Sequence, residues 1–129
     1  EGASKFLKIK IKGAKSTNDA KKIGKSIANS PLFKTAMSGS DSNWGRIIMA
    51  IGKSGVKLDP EKLTLKFGKY IILRKGKKIN LTNINLINKY LKKSEIEIIV
   101  DLDQGVYEWN TWTCDFTKEY VSINADYRS

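Results

Sequence analysis

From Lys5 to Lys12 the chain reads K-F-L-K-I-K-I-K, and no other stretch leaves it so little freedom of fold. Side chains of an extended strand alternate between the two sides of a sheet. Leu7, Ile9 and Ile11 therefore share one side, and Phe6, Lys8, Lys10 and Lys12 share the other. A strand with one greasy face belongs to a sheet covered on that face, and the next residues supply a cover. Gly13-Ala14-Lys15 is expected to end the strand. Ser16, with Asp19 three residues on, forms a short-acid version of the capping box, and Ala20, Ile23, Ile27 and Ala28 then recur at helical spacing. The opening unit is a strand followed by an amphipathic helix.

The stretch Ala28 to Arg46, A-N-S-P-L-F-K-T-A-M-S-G-S-D-S-N-W-G-R, carries more specification than a connection needs. Ser30 before Pro31 is an N-cap signal for a short helix bearing Leu32, Phe33 and Ala36. Ser38-Gly39-Ser40-Asp41-Ser42 reverses the chain, and Asn43-Trp44-Gly45-Arg46 reads as a buried polar and aromatic cluster. Asp41 and Arg46 are expected to hold this turn by a charge-assisted hydrogen bond. An apolar helix, Ile47 to Gly52, leads out of it.

Lys53-Ser54-Gly55 then makes a turn and Asp59-Pro60 opens a new region. Leu63–Phe67 and Tyr70–Arg74 read as strands joined by a tight Gly68-Lys69 hairpin. Lys75-Gly76-Lys77-Lys78 resembles a phosphate loop only in composition; with no strand-to-helix junction and no spaced glycines, it is an exposed hairpin tip. Ile84, Ile87, Tyr90 and Leu91 give an amphipathic helix, Ile96–Leu102 a strand with an apolar centre, and Asp103-Gln104-Gly105 a turn. Val106–Cys114 alternates aromatic and polar residues as a strand, in which Cys114 is expected to be a small buried hydrophobe. A last helical segment is predicted from Thr117 through Asn124. The order of elements predicts an α+β single domain, with a mainly antiparallel sheet and helices packed on one side.

The length of 129 residues suits one domain with a core of its own. No apolar run approaches a membrane span, the N-terminus has no signal-peptide pattern, and a cytoplasmic location is the default expectation. The formal charge of +11 raises nucleic acid as a partner, but only three of the 24 basic residues are arginines. The lysines are spread over nearly every element, which fits solvated faces better than a binding stripe. A basic, non-catalytic module gripping nucleic acid or acidic protein is the alternative reading, and it predicts steeply salt-dependent affinity. With no histidine and one cysteine, a metal site would depend on scattered carboxylates, so no cofactor is expected. The nucleophile elbow, the zinc-protease helix and the glycine-rich nucleotide fingerprint are all missing. The residues alone describe a domain that supplies part of a polar pocket rather than a self-sufficient enzyme.

A set of separated motifs goes further. Glu1-Gly2-Ala3-Ser4-Lys5-Phe6, Gly13-Ala14, Ala28-Asn29-Ser30-Pro31-Leu32 with Lys34-Thr35-Ala36, Asn43-Trp44-Gly45-Arg46-Ile47 with Ala50-Ile51-Gly52, Cys114-Asp115, and Tyr120-Val121 with Ile123-Asn124-Ala125-Asp126-Tyr127-Arg128 succeed one another from the first residue to the last. In this order they resemble the C-terminal part of the β chain of the glutamate N-acetyltransferase, or ornithine acetyltransferase, family of arginine biosynthesis.

The resemblance implies a precursor that cuts itself before a threonine, the acyl-accepting nucleophile, which would precede Glu1 in an upstream segment. It implies as partners the α chain and the N-terminal part of the β chain in a hetero-oligomer, with N-acetylornithine and glutamate as substrates. Three substrate-binding positions carry over. Glu1 matches the acidic residue of the family's D-G-E-G-(A/T)-(S/T)-K motif, Asn124 the asparagine of I-N-A-x-Y, and Ser129 the terminal residue, usually threonine. A carboxylate can meet a substrate ammonium, while an amide and a hydroxyl hydrogen-bond its carboxylate region. The chain departs from the family pattern at Ser40 and Ser42, where glutamate and proline are usual, and at Thr113, where glycine commonly precedes the C-D pair.

Overall fold

The computed structural model describes residues 5–79 and 84–116. Their centre is a six-stranded sheet, built from β1 (Phe6–Ala14), β2 (Thr64–Phe67), β3 (Tyr70–Arg74), β4 (Lys77–Lys78), β5 (Glu95–Asp101) and β6 (Tyr107–Cys114). The spatial order is β4-β3-β2-β5-β1-β6. All neighbouring pairs are antiparallel except β1 and β5, which run parallel with Leu7 beside Ile96, Ile9 beside Ile98 and Ile11 beside Val100. The mainly antiparallel α+β architecture is thus the one the order of elements predicts.

The alternation of β1 does what its periodicity demands. Leu7, Ile9 and Ile11 are fully buried, whereas Phe6 is half exposed. The strand ends at Ala14, within the Gly13-Ala14-Lys15 stretch expected to end it, one residue after Gly13. Gly13 lies inside β1 at φ +70°, where the pairing with β6 shifts register between Ile11 and Ala14. A side chain at this position would run into the Asp101 carboxylate and lie 2.7 Å from the Asp103 backbone nitrogen, so the bulge depends on glycine.

Four α-helices lie among the described residues: α1 (Thr17–Ala28), α2 (Pro31–Ser38), α3 (Trp44–Lys53) and α4 (Ile84–Leu91). Ser16 accepts the Asp19 backbone N–H at 3.0 Å and Ser30 that of Phe33 at 3.3 Å, so both helix starts are capped where the sequence places them. Ala20, Ile23 and Ile27 bury the inner face of α1 against the sheet. At Gly24 a Cβ would touch Trp109, Ile11 and Thr111 at 3.3 to 3.4 Å, which shows how closely this helix seats on β1 and β6. Phe33, Met37, Ile47 and Ile51 extend the core from α2 and α3, and Ile87 and Leu91 from α4. The Gly68-Lys69 hairpin and the Lys75-Gly76 tip form as expected. The last predicted helix, from Thr117, lies outside the described residues.

Candidate functional site

Lys5 has the same parity as Leu7, Ile9 and Ile11, so the strand that buries them carries this lysine inward as well. It is 8% exposed. Its Nζ donates to the Met37 carbonyl and, at 2.7 Å, to the Ser40 hydroxyl. Its backbone N–H donates at 2.8 Å to Oδ1 of Asp115, a carboxylate with no exposed surface, and the Asp115 N–H returns a bond to the Lys5 carbonyl at 3.3 Å. Buried polar groups are tolerable only when partnered in this way. Removal from water pushes the Lys5 pKa below its ordinary 10.5, while the nearby Asp115 charge pulls it back upward.

Local structure puts each partner in place. Helix α2 stops at Gly39, and Ser40 comes next with φ 53°, its N–H bonded to Met37 and the Asp41 N–H to Ala36. This left-handed residue turns its hydroxyl inward, where it accepts from Lys5 and donates at 3.2 Å to the Leu91 carbonyl at the end of α4. Asp115 comes directly after the last residue of β6, and Phe6 pairs with Cys114 in the antiparallel ladder. The beginning of β1 and the end of β6 therefore meet at one point, beside the α2 turn. Next along, the Phe116 N–H donates to the Lys34 carbonyl at 3.2 Å, and the Lys34 ammonium stands 4.6 Å from the Phe116 ring centre.

On the opposite face of the sheet, beside this node, a recess of about 340 Å³ is lined by Phe6, Lys8, Tyr90, Glu95, Glu97 and Trp112, with Ile96 also on its wall. Lys8 and Glu97 face each other at 3.4 Å, and the Tyr90 hydroxyl accepts the Glu97 backbone N–H at 2.9 Å. The recess offers carboxylates to a cation and ring surfaces to an aliphatic chain. Across the same face Lys8 lies opposite Glu97 and Lys12 opposite Asp101, while Lys10 lies between Ile99 and Asn110, so two of the three lysines on this face of β1 have an acid beside them. Among the described residues no group of three His, Cys, Asp or Glu is placed to hold a metal ion, and no helix is long and apolar enough to cross a membrane.

The three positions implied by resemblance, Glu1, Asn124 and Ser129, lie outside the described residues. Two other expectations need correction. Cys114 is exposed, because its parity in β6 puts it with Phe6 and Trp112 on the sheet face away from α1. Arg46 does not pair with Asp41; it donates to the Leu32 carbonyl at 2.8 Å, bridging the first turn of α3 to that of α2. Nor is the Asn43–Arg46 group buried: Asn43 is exposed and the other three are only partly covered. Lys5 and Asp115 are the residues that sequence reasoning passed over, although the parity of Lys5 with Leu7 was visible in the alternation itself.

The model of the ArgJ family matches residues 1–129. This chain belongs to the ArgJ family. Among similar curated ArgJ proteins, each named arginine biosynthesis bifunctional protein, that of Brucella melitensis is 46% identical over the whole chain, which covers 31% of its length. That of Zymomonas mobilis is also 46% identical, with 32% of its length covered. The crystal structure of the Bacillus halodurans ArgJ protein superposes with a TM-score of 0.92 at 36% identity, over 98% of this chain and 60% of that one. The chain thus spans about a third of the length of these curated ArgJ relatives.

Proposed function

We propose that this chain is the C-terminal, substrate-holding portion of an enzyme of arginine biosynthesis that moves an acetyl group from N-acetylornithine to glutamate. The acetyl group passes through a covalent intermediate on a threonine upstream of Glu1, exposed when the precursor cuts itself. The threonine hydroxyl attacks the acetyl carbonyl of N-acetylornithine and ornithine leaves as the free amine; the glutamate amine then attacks the acetyl-threonine ester and restores the hydroxyl. Glu1 meets a substrate ammonium, and Asn124 and Ser129 hydrogen-bond the substrate's carboxylate end. The working enzyme joins this portion to the rest of its β chain and to the α chain, in the cytoplasm.

The observation that carries this reading is membership of the ArgJ family over the whole chain, combined with coverage of only 31% of a relative's length. The meeting of Lys5 and Asp115 supports it further. Glu1 precedes Lys5 by four residues, a chain reach of at most about 14 Å, and the segment bearing Asn124 and Ser129 continues from Asp115. The segments proposed to bear the pocket thus join the described fold at hydrogen-bonded neighbours, with Asn124 nine and Ser129 fourteen residues beyond Asp115.

The test is an acetyl-transfer assay of residues 1–129 alone and of the enzyme with its upstream portion restored. The restored enzyme is expected to form ornithine and N-acetylglutamate, with the segment alone inert. Transfer by the isolated segment would overturn this division of labour.

A further inference from the structure

We infer that the outer edge of β6 is a docking edge for an extended segment of the upstream portion of the enzyme, which adds a strand to the sheet there. The inference rests on the reading of this chain as a C-terminal portion, and it names the surface through which that portion joins the rest.

The two edges of the sheet are built differently. Strand β4 has two residues, both exposed lysines, the means by which proteins keep a free edge from pairing with another strand. Strand β6, at the other edge, runs for eight residues with no proline, glycine or lysine, and Glu108 is its one charged side chain. The Asp115 N–H points toward β1, where it meets the Lys5 carbonyl. By alternation the N–H groups of Asn110, Trp112 and Cys114 point away from the sheet, and among the described residues no strand meets them.

Charge, exposure and hydrogen bonding mark the same edge. A chain with 24 basic residues has none from Ser94 to Thr117, the stretch that holds β5 and β6. Surfaces that meet another protein segment are poor in lysine and rich in aromatic residues. Val106 is 87% exposed, and Tyr107, Trp112 and Phe6, the last paired with Cys114 across β1, are each close to half exposed. Among the described residues, the two buried side-chain polar atoms without a hydrogen-bond partner, Trp109 Nε1 and Asn110 Oδ1, both belong to β6. The polar groups of this strand are thus incompletely satisfied within this portion.

Length and attachment select the occupant. The chain covers 31% of the Brucella melitensis relative, so an enzyme of that length has most of its residues elsewhere. In the proposed arrangement they enter at Glu1, five residues before Phe6, a reach of at most about 18 Å. Phe6 lies beside Cys114, the end of β6. A segment tethered so close meets the edge at a high effective concentration, ahead of a second copy of the chain.

The experiment uses the full-length enzyme. Hydrogen exchange resolved by residue is expected to show the Asn110, Trp112 and Cys114 amides at least about a hundredfold slower than in an unstructured chain. Exchange within about tenfold of the unstructured rate would overturn the inference. Trp112→Lys, which puts on β6 the residue that guards β4, is expected to speed exchange at Asn110 and Cys114 about tenfold or more, while the amides of Ile9 and Ile98 stay protected; unchanged exchange counts against the added strand. Should this variant fail to fold, wild-type exchange and cross-linking decide. A photoreactive benzoylphenylalanine in place of Trp112 identifies the occupant. Cross-linking to a peptide upstream of Glu1 is expected; cross-links to residues 117–129, to a second copy carrying a different isotope label, or to nothing reject it. The acetyl-transfer assay keeps the two claims apart. If the segment alone transfers acetyl, the reading beneath this one fails; if only the restored enzyme is active but the β6 amides exchange freely, the docking edge alone falls.

Discussion

Lys5 brings an ammonium into apolar surroundings because backbone periodicity makes no exception for charge: a residue that shares the parity of Leu7, Ile9 and Ile11 is buried with them. Its pKa is lowered by burial, so the sign of its linkage to folding can be worked out. Between the folded-state pKa and the ordinary value of 10.5, the unfolded chain holds a proton that the folded chain has released. In that window stability rises with pH, and below it the charged form carries the whole cost of desolvation. The neutral amine keeps two N–H donors, enough for the Met37 carbonyl and the Ser40 hydroxyl. We therefore expect the urea midpoint of the wild-type chain to climb relative to that of Lys5→Met as pH is raised toward 10.5. Subtracting the variant removes the titration of the other lysines and of the tyrosines. A difference that is flat or that falls with pH would show the ammonium to be better solvated inside than its burial implies.

At the scale of elements, the three helices over the sheet begin in different ways. Ser16 and Ser30 each satisfy a backbone N–H of the first turn, whereas Asn43 at the start of α3 makes no side-chain cap bond. Helix α3 is instead tethered from within, by Arg46 reaching the Leu32 carbonyl and by the burial of Ile47, Ala50 and Ile51. Ser30→Ala is expected to cost about 1 kcal/mol, and Asn43→Ala only a few tenths, since the second removes no bond. Chemical denaturation of the two variants side by side checks this; equal losses would mean that Asn43 caps the helix after all. Helix starts were readable because a cap joins residues two or three positions apart. The partner of Arg46 was not, since Leu32 is fourteen residues away and Asp41 only five. Opposite charge at short separation made the wrong pair look natural.

For the whole molecule, β5 is the strand that unites the sheet, with β2 and its hairpin partners on one side and β1 with β6 on the other. Ile98 lies at its middle, fully buried and paired with both Ile9 and Phe67. Ile98→Ala is expected to cost about 2–5 kcal/mol through the cavity left behind. Because both halves of the sheet share this strand, the loss is expected in one cooperative unfolding transition of nearly unchanged slope; two separated transitions would show the halves to be independent. The sequence by itself determined the local elements, the caps at Ser16 and Ser30, the two hairpin turns and the mainly antiparallel α+β class, along with a likeness to the family that the whole-chain match bears out. Those features depend on periodicity and on residues close in the chain. Only tertiary structure decided that β1 lies parallel to β5, that Gly13 packs a bulge against Asp101 and Asp103, that Cys114 faces outward, and that Lys5 meets Asp115 across 110 positions. Each of these is a contact between distant segments, and its energy depends on which surfaces meet in the folded chain, a choice that no local pattern encodes.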